Sequence, residues 1–337
     1  MSRVARQQHF LHHAEYQAMD LAEIEICSEA DRVIAITHAV RHYLIEKGVD
    51  AEKIYVLPNG VDTQRFQRIN PDRKLKEKLG LTDEIVIGYV GSFVKYEGLD
   101  ILIEAFAQLF NEHKKIFLLL VGDGVNKKEL EKQVEMLGIG SNVHFSGRVE
   151  HNEVQLYHSI IDIAPFARTP DIVCEFISPL KPFESMAMGQ VAVASNVAAL
   201  SEIIKDFENG RLFKKGDSYS LYKVLEELVT DRDEMRRLSK AGESWVNKNR
   251  DWDILASHLH EVHQHLLEGG DQPELLGNGK KLKIINGRVT TEISGKPTIM
   301  AIMDEFSTAA LSPDANLILP TPENWKELIE ELSLIHI

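Results

Sequence analysis

The sequence predicts an α/β fold in which a doubly wound parallel sheet carries helices on both faces. Between residues 85 and 213, short β-branched runs alternate with amphipathic stretches, which gives at least five strands. The run IFLLLV within 116–123 is apolar throughout, as a strand covered on both faces must be. The stretch before it places its apolar residues on one helical face, namely Leu99, Leu102, Ala105, Phe106 and Leu109.

Composition excludes several classes of protein. The 337 residues are 44% hydrophobic, which is enough for a sizeable core, and the net charge of -14 argues against a nucleic-acid surface. The two cysteines, Cys27 and Cys174, are far apart and predict neither a disulfide framework nor a zinc site. Without a secretion signal or an apolar run near the roughly 20 residues that cross a bilayer, we expect a soluble, cytoplasmic protein.

The remaining elements can be placed in chain order. RVIAITHAV (32–40) predicts a strand that runs into a helix over 41–47. After the apolar strand within 116–123, helical patterns begin near Asn126, Asn152 and Pro182. Three further helices are predicted over Ser218–Thr230, 232–247 and 252–268. After Gly269 the chain becomes polar and glycine-containing, as linkers are, before an incomplete strand and helix start. We therefore expect a domain remnant at 1–62, a complete domain at 63–268, a linker at 269–285 and a truncated domain at 286–337.

Six segments carry a family resemblance: VIAITHAV, YVLPNGVDTQRF, GYVGSF, LLLVGDG, HFSGRVEHNEV and PLKPFESMAMGQVAVAS. In this order they resemble the family 4 retaining glycosyltransferases of GT-B fold, glycosyl transferases group 1, over about residues 30–266. The resemblance implies an enzyme of polysaccharide biosynthesis that binds a nucleotide sugar in its C-terminal Rossmann-like domain. It also implies a glycan, lipid-linked or protein acceptor and retention at the anomeric carbon. Peripheral contact with a membrane is compatible with these acceptors. The acceptor domain is reduced here to its last strand and helix, so the fragment itself is expected to lack most of its acceptor wall.

The chemistry requires a site that stabilises a diphosphate leaving group with cations or oriented amide dipoles. The turn over 91–98 is a candidate, because glycines let backbone amides approach phosphate at a helix start. Gly91, Ser92 and Lys95 are its predicted donor-binding residues, although a glycine after a strand can also be only a tight turn. The family commonly has Arg and Lys where this chain has Ser92 and Glu97, so the phosphate cations should come from elsewhere.

Two cations are the expected replacements, and they match a branch of the family that reads PLKP-x-E. Arg168 follows the strand over 161–166, and ligands of open α/β sheets gather at the carboxyl ends of strands. Lys181 stands at a helix start, where a lysine is unfavourable unless an anion compensates it. We expect Arg168 and Lys181 to hold the diphosphate, while the alternative for each alone is a solvated surface cation.

The family's E-x7-E motif implies a ribose contact by Glu184, since a carboxylate can accept from two vicinal hydroxyls. Its alternative is a first-turn glutamate that favours the helix dipole. The place of the motif's first Glu holds Phe176, and Glu175 is one residue away. Either the loop carries an extra residue and Glu175 acts at the sugar, or that contact is made otherwise.

Further donor contacts follow from the resemblance alone. Gly122 lies in the family's G-x-G loop near the donor, and Arg148 borders the predicted nucleobase segment. Both segments can equally be turn chemistry. Glu202 is a donor-binding candidate, but Ala198 and Ala199 stand where relatives often have a Gly-Gly pair, so base and sugar preferences are expected to differ.

We expect no catalytic metal and no cofactor apart from the nucleotide-sugar substrate. The two Asp-x-Asp pairs, at 231–233 and 251–253, stand at predicted helix starts, where capping explains them. The histidines His12, His13, His38, His258, His260, His263 and His265 complete no recognised metal motif.

Two other functions remain open: a non-catalytic nucleotide-sugar-binding module and a sugar-nucleotide epimerase. A Rossmann dehydrogenase would need G-x-G-x-x-G after its first strand, which the residues after Gly91 do not supply. The tail from Lys296 resembles the opening of a second, CgeB-like glycosyltransferase domain.

Overall fold

The computed structural model describes residues 13–259, 282–285, 288–293 and 296–303, with side chains over 20–259. These residues group into two compact units. The first contains the described residues up to Asn59, the segment Glu175–Ser178 and the described residues from Asp253 onward. The second contains Gly60–Cys174 and Pro179–Trp252, and it carries almost all of the predicted site.

Strands and helices alternate along the chain, as the sequence predicts. The elements in chain order are α1 His13–Glu29, β1 Arg32–Ala35, α2 His38–Glu46, β2 Ile54–Val56, α3 Arg73–Lys78, β3 Ile85–Val90, α4 Leu99–Glu112, β4 Ile116–Val121, α5 Lys127–Met136, β5 Val143–Gly147, α6 Val154–Ser159, β6 Ile163–Phe166, α7 Ile172–Phe176, α8 Lys181–Ala187, β7 Val191–Ser195, α9 Ala198–Ile203, β8 Arg211–Phe213, α10 Ser218–Thr230, α11 Arg232–Asn249, β9 Leu282–Ile285, β10 Arg288–Ile293 and β11 Lys296–Met303. A further helical segment covers 252–259.

The second unit is built on a six-stranded parallel sheet in the order β5-β4-β3-β6-β7-β8. The chain runs outward from β3 to β5 and then returns to β6 on the other side of β3. Strand order therefore reverses between β3 and β6, which is the switch point of a doubly wound sheet. Because the strands are parallel, their carboxyl ends meet at one edge, where such folds bind ligands.

Helices cover both faces of this sheet, and each face has its own hydrophobic core. One core packs α4 and α10 against the strands through residues such as Phe106, Leu118 and Leu225. The core on the other face includes Phe183 from α8 and Val246 from α11. The uniformly apolar β4 is buried along its whole length, which confirms its prediction as a central strand.

The first unit contains a separate sheet in the order β2-β1-β11-β10-β9. β1 pairs in parallel with β2 and with β11, while β9, β10 and β11 are antiparallel neighbours. We expected β11 in a separate unit and 282–285 in a linker, whereas these strands extend the sheet of β1. The resemblance of the tail to a second transferase-like domain stays a prediction.

Helix starts account for several differences from the sequence predictions. The strand expected over 32–40 ends at Ala35, because Thr37 caps α2 by accepting a hydrogen bond from Val40 N at 3.1 Å. Asp231 caps α11 by accepting from the backbone amides of residues 233 and 234, as predicted. The carboxylate of Asp251, just before the helical segment 252–259, accepts from the backbone amide and hydroxyl of Thr63, and its predicted capping role stays a prediction.

A buried histidine ties α6 to the loop before β7. His158 is only 2% exposed. The side-chain amide of Gln190 donates from Nε2 to His158 O at 2.7 Å, and the same nitrogen lies 3.0 Å from His158 Nδ1. Burial lowers the pKa of His158 to about 4, since a charged imidazole would lose its hydration there. His258, from the predicted histidine cluster, is described and exposed, whereas His12, His260, His263 and His265 lie outside the described residues.

Within the described ranges, no helix combines the length and the apolar character that crossing a membrane requires.

Replacing Gly98 with Ala should destabilise the second unit much more than replacing Gly138 with Ala. Both glycines have a left-handed backbone, with φ of +68° and +67°. A Cβ on Gly98 would lie 2.0 Å from Ala167 O, whereas a Cβ on Gly138 would meet no atom within 4 Å. Each variant carries the left-handed cost of about 1–2 kcal/mol, and Gly98→Ala should lose at least about 2 kcal/mol more from the backbone clash. Urea unfolding measures the difference, and equal losses would contradict this close contact.

The unfolding free energy should depend on His158 in mildly acidic solution. The unfolded imidazole takes up a proton near pH 6.5, while the folded one does so only near pH 4. The folded state therefore loses relative stability as pH falls between these values, by up to about 3 kcal/mol. His158→Gln should flatten this slope in urea unfolding measured across that range, with the wild-type protein as the control. The same slope in both proteins would show that His158 does not cause it.

Candidate functional site

The carboxyl edge of the main sheet is formed by loops that hold one another through backbone hydrogen bonds. Gly91 N, after β3, donates to Val121 O at 2.9 Å, and Gly122 N donates to Gly147 O at 3.1 Å. Gly122 has φ of +134°, and a Cβ there would lie 2.0 Å from Gly91 O. The loops after β3, β4 and β5 therefore form one closely fitted floor at this edge, and it contains the predicted donor residues Gly91 and Gly122.

Gly91 also makes room for a lysine. Its φ is +149°, and a Cβ at this position would come 2.2 Å from Cε of Lys181 and 3.1 Å from the hydroxyl of Tyr89. The Lys181 side chain therefore passes directly over the glycine. The sequence explained Gly91 by the approach of its amide to phosphate. In the structure this amide donates to Val121 O instead, and the glycine provides the space that the lysine stem occupies.

Two cations converge on one carboxylate beside this glycine. Glu97 Oε1 accepts from Arg168 Nη2 at 3.1 Å and from Lys181 Nζ at 3.0 Å. The Glu97 side chain is 1% exposed, that of Arg168 is 6% exposed and that of Lys181 is 21% exposed. Burial alone would raise the pKa of Glu97, but Arg168 and Lys181 outweigh it and lower this pKa to about 2. Glu97 is thus a carboxylate at any physiological pH.

The loops that carry these charges are fixed by their backbones. Glu97 ends the 3₁₀ turn Lys95–Glu97, and Gly98 then packs directly on the carbonyl of Ala167. Thr169 N donates to Tyr96 O at 3.0 Å, and Ser195 Oγ donates to Arg168 O at 2.8 Å. The loop after β3 is thereby joined to the loop after β6 at the switch point of the sheet.

Lys181 and Glu184 share the first turn of α8. Glu184 is half-buried, and burial raises its pKa while Lys181 and Arg65 act to lower it. Glu184 therefore lies within electrostatic reach of the lysine. Arg168 and Lys181 are thus brought together on Glu97, with Lys181 over Gly91, and Glu184 follows Lys181 within the same turn. Their roles toward a ligand stay predictions.

The other predicted site residues are placed as follows. The carbonyl of Ser92 accepts from the hydroxyl of Tyr89 at 3.1 Å, while Lys95 is exposed on the 3₁₀ turn. Arg148 is exposed directly after β5. Glu202 lies on α9, where its charge acts on Arg250, whose pKa is lowered mainly by burial. These positions leave the donor roles of these four residues as predictions.

Glu175 belongs to a different part of the structure from these side chains. It lies in α7, in the segment Glu175–Ser178 that groups with the first unit. In that segment, Phe176 O accepts from the hydroxyl of Thr37 at 2.9 Å, and the Phe176 ring packs edge-on against Tyr43. The predicted catalytic role of Glu175 stays a prediction.

Glu97 is the site residue that sequence reasoning missed. It stands where the family resemblance implies a lysine, and from the sequence alone this departure indicates only the loss of a phosphate cation. The signal that could have found it is an acid within the turn over 91–98, at the same sheet edge where Arg168 and Lys181 are expected, because a carboxylate among cations favours an ion pair.

Among the described residues, one group of acidic and histidine side chains has the spacing of metal ligands. Glu112, His113 and Glu226 bring ligand atoms within 4.8 Å of one another, and the hydroxyl of Tyr222 lies 3.0 Å from both carboxylates. The helix α4 begins next to Gly98 and carries Glu112 about 20 Å away at its far end. This group therefore does not belong to the cluster of Glu97.

Comparisons with known proteins match both parts of the chain. A family model described as glycosyl transferases group 1 matches residues 71–245, just over half of the chain, and one described as glycosyltransferase family 4 matches residues 5–65. The alpha-monoglucosyldiacylglycerol synthase of Streptococcus pneumoniae is 29% identical over 61% of this chain and 46% of its own length.

Solved structures show the same fold. Anabaena Alr3699/HepE in complex with UDP matches with a TM-score of 0.61 and 24% identity, over 71% of this chain and 63% of its own. The C-terminal domain of LpcC, a group 1 family protein of Francisella tularensis, matches with a TM-score of 0.51 and 25% identity, over 57% of this chain and 99% of its own. These likenesses confirm the predicted α/β class of GT-B type.

The matched length sets the scope of these comparisons. The chain spans 46–60% of the length of three curated relatives, which include a glycosyltransferase of Methanocaldococcus jannaschii that is 24% identical over 72% of this chain. The family model, in contrast, covers the sheet of the second unit together with the cluster of Glu97, Arg168 and Lys181. The chain belongs to the glycosyl transferases group 1 family.

Proposed function

We propose that this protein transfers a hexose-like sugar from a nucleoside-diphosphate sugar to a glycan, lipid-linked or protein acceptor. The observation that supports this proposal most directly is the position of Lys181, which lies over Gly91 at the switch point of the sheet. Open α/β sheets bind their ligands at this edge. A solved relative of the same fold was obtained in complex with UDP, which is the kind of ligand that we infer for this edge.

Each side chain has a role in the proposed reaction. When the glycosidic bond to the donor breaks, the diphosphate gains negative charge, and Lys181 would stabilise that charge at the carboxyl edge. The backbone amide of Ser92 would add a dipole near the start of α4. Glu184 would accept hydrogen bonds from the ribose hydroxyls, which its carboxylate can do in pairs.

We further propose that the reaction needs no metal ion and retains the anomeric configuration. Metal independence is supported by the chemistry of the edge, where lysine and arginine can supply the positive charge that a divalent ion would otherwise bring. Retention follows from the family resemblance. Both cysteines are buried free thiols, which fits a reducing compartment, and we infer that the reaction takes place in the cytoplasm.

Lys181→Met should weaken the binding of the nucleoside diphosphate by about tenfold, because it removes one charge-assisted hydrogen bond to phosphate. Glu184→Gln should weaken it less, since an amide keeps one acceptor for the ribose. A thermal-shift screen of UDP-, GDP- and ADP-sugars identifies the base, because a ligand that binds the folded form raises the melting temperature. Calorimetry with the matching diphosphate then compares the variants.

The controls for these variants are Lys128→Met and Glu129→Gln, which make the same changes of charge at exposed positions of α5. They should bind as the wild-type protein does. If Lys181→Met and Glu184→Gln also bind like the wild type, this edge does not hold the donor.

Transfer should persist in excess chelator, and the product should keep the anomeric configuration of the donor. Anomeric proton coupling in the NMR spectrum of the product measures the configuration. Conversion of the donor without any acceptor would indicate an epimerase instead. Donor binding without transfer or conversion would indicate a non-catalytic binding module.

A further inference from the structure

The cluster of Glu97, Arg168 and Lys181 has more cations than its carboxylate needs. One carboxylate meets two cations at a single oxygen, Oε1, at 3.1 Å and 3.0 Å. The three groups together carry one net positive charge. One of the two cations can therefore leave Glu97 without leaving the buried carboxylate uncompensated, a state that proteins avoid.

The two cations differ in how firmly they are held. Arg168 has a side chain that is 6% exposed, its guanidinium lies 5.7 Å from the ring centroid of Tyr96, and its carbonyl accepts a hydrogen bond from Ser195. Lys181 has a side chain that is 21% exposed and a flexible stem that crosses Gly91. Of this pair, Lys181 is the cation that a ligand can reach. The sequence-based expectation gave the diphosphate contact to both cations, whereas the inference below gives it to Lys181 alone.

We propose that Lys181 is an exchangeable cation, which Glu97 holds before the donor binds and which moves to the diphosphate when it does. Arg168 is then the permanent partner that keeps Glu97 compensated after the lysine has left. Glu97 is a positioning residue in this scheme, because it acts on the ligand through Lys181. The inference rests on the proposed function, since it takes a nucleoside diphosphate as the ligand.

This exchange gives Glu97 an effect opposite to that of most binding-site residues. The diphosphate has to compete with an internal anion for the same lysine, so Glu97 lowers the affinity for donor and product. The start of α8 is a position where a lysine is electrostatically unfavourable without an anion. Glu97 supplies that anion first, and the phosphate group then replaces it.

Glu97→Gln should therefore bind the diphosphate about tenfold more tightly than the wild-type protein, although the unliganded variant should melt at a lower temperature. Calorimetry with UDP, GDP and ADP measures the affinity, and differential scanning calorimetry measures the melting temperature. Glu97→Asp keeps the carboxylate and should stay close to the wild-type affinity. If Glu97 were only structural, its loss would leave diphosphate binding unchanged or weaker, and that result would overturn the exchange.

Glu104→Gln is the matched control, because it makes the same charge change at an exposed position of α4. It should bind all three diphosphates as the wild type does. A tenfold gain in this variant as well would assign the effect to the overall charge and overturn the inference.

A structure of the wild-type protein with its diphosphate decides the question if Glu97→Gln does not fold. Lys181 Nζ should then lie within hydrogen-bonding distance of a phosphate oxygen and no longer at 3.0 Å from Glu97 Oε1. A bound diphosphate beside an unchanged Lys181–Glu97 pair would contradict the exchange.

The two proposals fail in different ways. If the wild-type protein binds none of UDP, GDP and ADP, both the proposed function and the exchange are overturned. If the wild type binds one of them but Glu97→Gln binds it no more tightly, the exchange alone is overturned.

Discussion

A buried carboxylate, Glu97, joins three parts of the second unit at the carboxyl edge of its sheet. Through Arg168 it contacts the loop after β6, and through Lys181 it contacts the start of α8. Removing one partner from a buried pair of this kind costs about 3–5 kcal/mol, which is a large part of the stability of an ordinary domain. The charges that would act on a ligand are thus also the charges that hold the loops together, so binding and stability cannot be separated at this position.

The architecture around that carboxylate was predictable because its signals are periodic. The apolar run of β4 and the helical spacing in α4 follow from the pattern of burial along each element, which repeats within a few residues and is therefore visible in the sequence. The switch point between β3 and β6 could not be predicted in this way, because it depends on which strands pair. In the sequence, strand pairing is indicated only by the family resemblance.

The two cations of the candidate site could be predicted from the sequence, but the carboxylate that holds them could not. Arg168 and Lys181 were found because their positions, after a strand and at a helix start, are positions where a cation acts on ligands. Glu97 was found only as a departure from the family pattern, because its partners stand 71 and 84 residues away along the chain. The same limit applies to β11, since pairing between Arg32–Ala35 and 300–303 leaves no mark in either segment. Contacts between distant residues are what a single sequence does not disclose.

The close approach of Gly122 to the carbonyl of Gly91 has a consequence for how this edge can change over evolutionary time. A methyl group on Gly122 would meet the carbonyl of Gly91, and one on Gly91 would meet the stem of Lys181, so a substitution at either glycine requires a second change beside it. Residues on the rim, such as Arg148, carry no such restriction. New substrate preferences should therefore accumulate on the rim of the site, around a floor that selection keeps nearly constant.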